Sequence, residues 1–179
     1  MSFENLKALI EQRRSIHYFT DESISEEVIG QLLNVAHLAP SVENTQPWEF
    51  HVITNLEMKK ELMQASCYGN FISGASVFIV GTCRRSHATM QAKEPVWNPK
   101  ELEYSCVAAM ENMMLAATAM GLGTCWVSLH HGPVHNILHL KDGTVVIGGL
   151  MIGHLKKGED QQGDGHVRGP IDQHVVYHR

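Results

Sequence analysis

Arg13, Arg14 and Ser15 place two guanidinium forks and a hydroxyl in consecutive positions, in the stretch "RRSIHYF". Charged, fork-shaped donors beside a hydroxyl suit a phosphate monoester. The same residues would also serve as a cationic end to a preceding helix, complementing its dipole. Arg168, in "HVRGP", is a later basic position able to close on the same anion. A second cluster lies in "APSVENTQPWEF", where Ser41, Asn44, Gln46 and Trp48 surround Pro40 and Pro47. Amides and hydroxyls at this density suit a polar heterocycle whose edge must be hydrogen-bonded. The alternative is a loop that bonds only its own backbone.

The chain has 12 histidines, and three of them, His131, His135 and His139, recur every fourth position. On one continuous helix they would share a face. Pro133 interrupts the series, so His131 is expected before the helix, and the remaining pair has neither an HExxH glutamate nor a third ligand. A histidine-based metal-binding protein is thus an alternative with an incomplete ligand set. No GxSxG, P-loop or GxGxxG is present, and no nucleophile stands beside a base.

Helical spacing of Leu6, Leu9 and Ile10 after Ser2 predicts a first helix that delivers the arginines. Ser25, Glu26 and Glu27, with Ile24 and Ile29 as a hydrophobic staple, predict a second, running to about Leu38 and stopping before Pro40. A strand is expected at Trp48–Thr54, a helix in "NLEMKKELMQASC", and a buried strand in "SVFIVGTC". The pattern dissolves between Arg84 and Lys100, where Trp97 sits between Pro95 and Pro99; such an excursion often serves as a lid. An apolar helix follows at Leu102–Met120, closed by Gly121. Strands in "TCWVSL" and "TVVIGGLMIG" flank a short helix at Pro133–Leu140. Strands alternating with helices predict a single three-layer domain over residues 1–179. The apolarity of the Leu102–Met120 helix exceeds what one sheet needs, which predicts a subunit interface.

Composition narrows the partners. With 44% hydrophobic and 18% charged residues over 179 positions the chain is of ordinary globular type. A net charge of -5 argues against a broad nucleic-acid-binding face. Four scattered cysteines, Cys67, Cys83, Cys106 and Cys125, form no CxxC pair and predict free thiols in a reducing, cytoplasmic setting. The amphipathic "MSFENLKALIEQRR" does not read as a targeting peptide. Glu111, Asn112, Gly121 and Gly123 interrupt the longest apolar run, so no membrane association is expected.

"RRSIHYF", "APSVENTQPWEF" and "AATAMGLGTCW", in this order and at these separations, closely resemble the FMN-dependent nitroreductase family, with its RRSxRxF, PSxxNxQPWxF and GLGxxW segments. The resemblance spans Leu6 to about His178. It implies an α+β sandwich with a mixed β-sheet flanked by helices, and an intertwined homodimer holding FMN at its interface. Arg13, Arg14 and Ser15 match the positions around the FMN phosphate and ribityl chain, and Arg168 the late arginine that completes the phosphate site. Pro40, Ser41 and Val42 match the segment packed on the partner's isoalloxazine, with Asn44 and Gln46 supporting it. Asn70 is the candidate polar residue on the flavin edge, and Gly121 and Gly123 belong to the third segment. His17 stands where the family has a second basic residue, near the flavin pyrimidine edge. The implied activity is a ping-pong oxidoreductase. NADH or NADPH and a nitroaromatic, quinone or related small-molecule acceptor use one flavin face in turn, with the chemistry carried by the flavin N5 rather than a catalytic side chain. A flavin-binding protein without redox turnover, a sensor or cofactor-processing relative, is the other reading.

Overall fold

Three of the described helices begin at a side-chain cap. In the computed structural model, which describes residues 2–66, 71–85, 98, 100–156, 158 and 168–178, Ser2 accepts from Asn5 N at 3.2 Å to open α1 (Phe3–Gln12). Ser25 accepts from Val28 N at 3.3 Å to open α2 (Glu26–His37). Asn55 does the same for α3 (Leu56–Gln64). These caps satisfy backbone donors that a first turn otherwise leaves unpaired. Ile24 and Ile29, on either side of the Ser25 cap, are both buried in one core cluster. Cys67, Asn70, Trp97 and most of the Arg84–Lys100 excursion lie outside the described residues.

The strands β1 (Trp48–Ile53), β2 (Val77–Arg84), β3 (Leu122–Val127) and β4 (Thr144–His154) form one sheet in the order β1-β2-β4-β3. All three pairings are antiparallel. Among the described residues the parallel component of the expected mixed sheet is one isolated bridge, between Ser15 and Thr124. Alternation along β2 sends Val77 and Ile79 to one face and Phe78 and Val80 to the other, each into its own cluster. The first cluster gathers α2 and α4 (Lys100–Ala119), and the second α3 and α5 (His131–Leu138). The result is three layers, helices over both faces.

α4 buries Leu102, Cys106, Ala109, Met110, Met113 and Ala117 along one stripe. It ends where Gly121 takes φ +74°, a left-handed geometry that suits glycine. His131 is the first residue of α5 rather than lying ahead of it, because His130 takes the cap position. Pro133 then falls in the first turn, where its missing N–H costs nothing.

One surface of this sandwich is left apolar. α1 has no buried residue, and Phe3 is 75% exposed. Leu38 at the end of α2 and Tyr104 and Val107 on α4 are exposed, and so are Ile171, Val176 and Tyr177 in the C-terminal segment. Leu6, Leu9, Val35, Leu115 and Met120 line a groove of about 470 Å³ between α1, α2 and α4. Among the described residues no helix is long and apolar enough to cross a membrane.

Candidate functional site

The Arg13–Ser15 cluster is held against the sheet edge. α1 ends at Gln12 because Arg13 adopts an extended backbone, φ -58° and ψ 126°, while its N–H still bonds Leu9 O at 3.2 Å. The chain then runs beside β3: Ser15 bridges Thr124, and Ile16 N donates to Thr124 O at 2.8 Å. The two arginines part company here. Arg14 turns back, donating Nη1 to the carbonyls of Glu11 and Arg13, so it is the residue that closes the helix end. Arg13, with its side chain only 23% exposed, leans on α4, its Nε 3.9 Å from Glu111 Oε1.

Arg14, Ile16, Gly121, Leu122, Gly123 and Leu155 line a cavity of about 180 Å³ beside this segment. The chain is close-packed at Gly123, where a Cβ would come within 2.7 Å of the Leu155 side-chain end and 3.0 Å of Ile16, so that these neighbours would have to shift. On the strand, the Cys125 thiol donates to Trp126 O at 3.5 Å; burial pushes its pKa up, while the Ser15 hydroxyl and the Arg13 charge oppose the rise. The hydroxyl of Thr124, opposite Ser15, is buried without a hydrogen-bond partner among the described residues. A cation, hydroxyls and an orphaned polar atom beside close backbone suit an anionic, polyhydroxylated ligand, and the donor set therefore fits the FMN expectation.

Two positions on, His17 lies flat on Phe71, ring centroids 4.9 Å apart and planes 22° from parallel. Tyr18 meets the same ring edge-on at 5.6 Å and 77°.

The Pro40–Gln46 loop is a separate piece of the surface, attached to α4 by Val42 N donating to Ser105 Oγ at 3.2 Å. Glu43, Asn44 and Gln46 all have positive φ, an unusual density of strained non-glycine residues. Much of the loop's polarity is turned on itself. Gln46 N donates to Ser41 Oγ at 3.0 Å, and Gln46 Nε2 reaches both Asn44 O and Asn44 Oδ1 at 3.0 Å. Pro40 is exposed, and Ser41 and Val42 half-buried. The anchors of this loop and of Arg13 on α4, Ser105 and Glu111, are six residues apart, about 9 Å along the axis. The loop and the arginine cluster are thus tied to the same helix at two points.

Arg168 is exposed at the start of the C-terminal described segment. The three spaced histidines do not share a helix face. His135 Nε2 is 2.8 Å from Thr144 O, and His139 leaves the helix with φ 51°. Among the described residues no group of three or more His, Cys, Asp or Glu side chains is arranged to hold a metal. Cys83, Cys106 and Cys125 are free and buried. Sequence reasoning missed Glu111 as the partner of Arg13, though a lone acid in an apolar helix was a usable signal. It also missed Cys125 beside Ser15 and Phe71 beneath His17, pairs too far apart in the chain to show in any local pattern.

A family model described as "Nitroreductase family" matches residues 10–69 and 58–154. Over 169 residues the chain is 31% identical to a protein of Archaeoglobus fulgidus with the provisional name NADH dehydrogenase/NAD(P)H nitroreductase, covering 88% of this chain and 89% of that one. It is 29% identical over 151 residues to the 5,6-dimethylbenzimidazole synthase of Rhodospirillum rubrum, 70% of each. Among solved structures, a Desulfovibrio desulfuricans chain provisionally called a nitroreductase, in complex with FMN, superposes with a TM-score of 0.79 at 27% identity, covering 97% of this chain and 96% of that one.

Proposed function

The chain belongs to the nitroreductase family, and from that premise we propose that it is an NAD(P)H-dependent FMN oxidoreductase acting as a homodimer on nitroaromatic, quinone or related acceptors by a ping-pong mechanism. The observation that carries the reading is the Arg13–Ser15 segment pinned along β3 beside the cavity of Gly121 and Gly123. The FMN in the Desulfovibrio desulfuricans structure and the name of the Archaeoglobus relative support it.

When bound, FMN would supply the redox chemistry between NADH or NADPH and the acceptor. The protein's part is placement and charge. Arg13 and Ser15 hold the phosphate, and Arg168 completes its charge balance. Arg14, bordering the cavity, lies along the ribityl chain. His17 would present an imidazole edge to the pyrimidine ring, and Asn70, outside the described residues, is the candidate polar residue for the flavin edge. Pro40, Ser41 and Val42 of each chain pack on the partner's isoalloxazine, while the Asn44–Gln46 pair stiffens the loop from behind. The uncovered apolar residues of α1 and α4 favour this sharing between two copies.

A second reading, a flavin-binding chain without redox turnover, draws on the relative named as a synthase rather than a reductase. The binding part of the proposal is tested by acid release of the chromophore from purified protein with sedimentation in parallel. About one FMN per chain on a dimer is expected; a monomer that takes up no flavin when FMN is supplied contradicts it.

A further inference from the structure

We propose that Phe71 is a positioning residue for the flavin site, its ring the platform that fixes the imidazole of His17 with its nitrogen-bearing edge open to the ligand. The inference rests on the FMN reading above. Where the family carries a basic residue, a long side chain can reach a ligand along its own flexible stem. Histidine has two side-chain torsions and must be set from behind.

The geometry supplies that support. The rings stack at 4.9 Å and 22°, an offset face-to-face arrangement, and a charged imidazole over an aromatic face gains a cation–π attraction as well. Stacking uses the face of His17 and leaves both nitrogens in the plane of its rim. No hydrogen bond among the described residues consumes either of them. Phe71 is half-buried and packed on the second core cluster, whereas His17 is exposed, so burial does not hold the imidazole in place. His17 also follows Ser15 by two positions in the run bridged to Thr124, about 7 Å farther along an extended chain from the anion cluster.

Phe71 is itself fixed. It opens a short 3-10 turn, Ile72–Gly74, in which Gly74 N donates to Phe71 O at 3.0 Å and Ile72 is fully buried. Lys59, a buried lysine of α3, ties down the end of that turn by donating Nζ to Ala75 O at 2.6 Å. The Tyr18 ring meets Phe71 from a second direction at 77°. His17 therefore rests on an aromatic ring braced from the sheet side rather than swinging in solvent.

The test measures FMN affinity by fluorescence quenching, and the flavin midpoint potential, in wild type, Phe71→Met, Phe71→Tyr, His17→Gln and the Phe71→Met/His17→Gln double variant. Phe71→Met, which keeps bulk and loses the ring, is expected to weaken FMN by about two- to tenfold. It should also lower the potential in the same direction as His17→Gln. Phe71→Tyr should restore both, and the double variant should match His17→Gln alone, the signature of one residue acting through the other. Unchanged affinity and potential in Phe71→Met, or an undiminished effect in the His17→Gln background, overturns the inference alone. Loss of folding in Phe71→Met overturns it too, by making the ring a core residue. A wild type that takes up no FMN overturns this inference and the functional reading together.

Discussion

Trp48 donates its indole Nε1–H to Nδ1 of His37 at 3.1 Å, with the rings at right angles, and so clasps the base of the Pro40–Gln46 loop. The bond places the imidazole proton on Nε2 and ties the last turn of α2 to the first residue of β1. Between these two residues lie all the strained backbone angles of the loop. The clasp keeps in one shape a segment proposed to lie on the partner's flavin.

Trp48→Phe retains the ring and removes the donor. It should cost about 0.5–1.5 kcal/mol in denaturant unfolding, the usual net worth of one hydrogen bond. FMN should bind more weakly in the same variant. Unfolding and FMN titrations superimposable on wild type would show that the loop holds its shape without the clasp.

Arg13→Ala removes the charge-assisted bond proposed to the phosphate, which should cost about 1.5–3 kcal/mol, or roughly ten- to a hundredfold in FMN dissociation constant. Arg168→Ala should act in the same direction by less. An Arg13→Ala protein that purifies fully loaded would remove Arg13 from the phosphate site.

Val107, exposed on α4 among uncovered apolar residues, tests the coupling between assembly and cofactor. Val107→Glu should yield a monomer by sedimentation, and that monomer should lose FMN, because a ligand held by two chains stabilises their union. A monomer that keeps FMN tightly bound would break the proposed sharing.

His51 carries the pH prediction. Burial holds its pKa below the ordinary 6.5, with the Glu49 charge pulling the other way. The unfolded chain therefore binds a proton that the folded chain resists, so stability rises with pH below about 6.5 and falls as the medium is acidified. His51→Gln should flatten the stability profile on the acid side of that value while leaving neutral pH nearly unaffected. A wild-type profile of the same slope as the variant's would contradict the assignment.

How much of this was legible in the sequence depends on the range of the interaction. Ser2, Ser25 and Gly121 announced helix ends correctly, because caps are set by neighbours within one turn. The strands showed as short apolar runs, and the three family segments pointed to the family the chain belongs to. Sheet direction was not legible, since β1 pairs with β2 across an intervening helix that short-range patterns do not constrain. His131 was misplaced by treating Pro133 as a barrier, although a first turn accepts proline. Within the loop, no spacing rule foretold that Asn44 and Gln46 would bond each other. Glu111 beside Arg13 and Phe71 beneath His17 needed the folded chain.

The central claim, a flavin that turns over, is tested most directly by anaerobic spectrophotometry of the FMN-loaded dimer. Addition of NADH or NADPH should bleach the flavin absorbance near stoichiometrically, and a quinone or nitroaromatic added afterwards should restore it, with parallel double-reciprocal lines in steady state. A protein that holds FMN yet is bleached by neither nucleotide would contradict the account and leave a flavin-binding chain without this turnover.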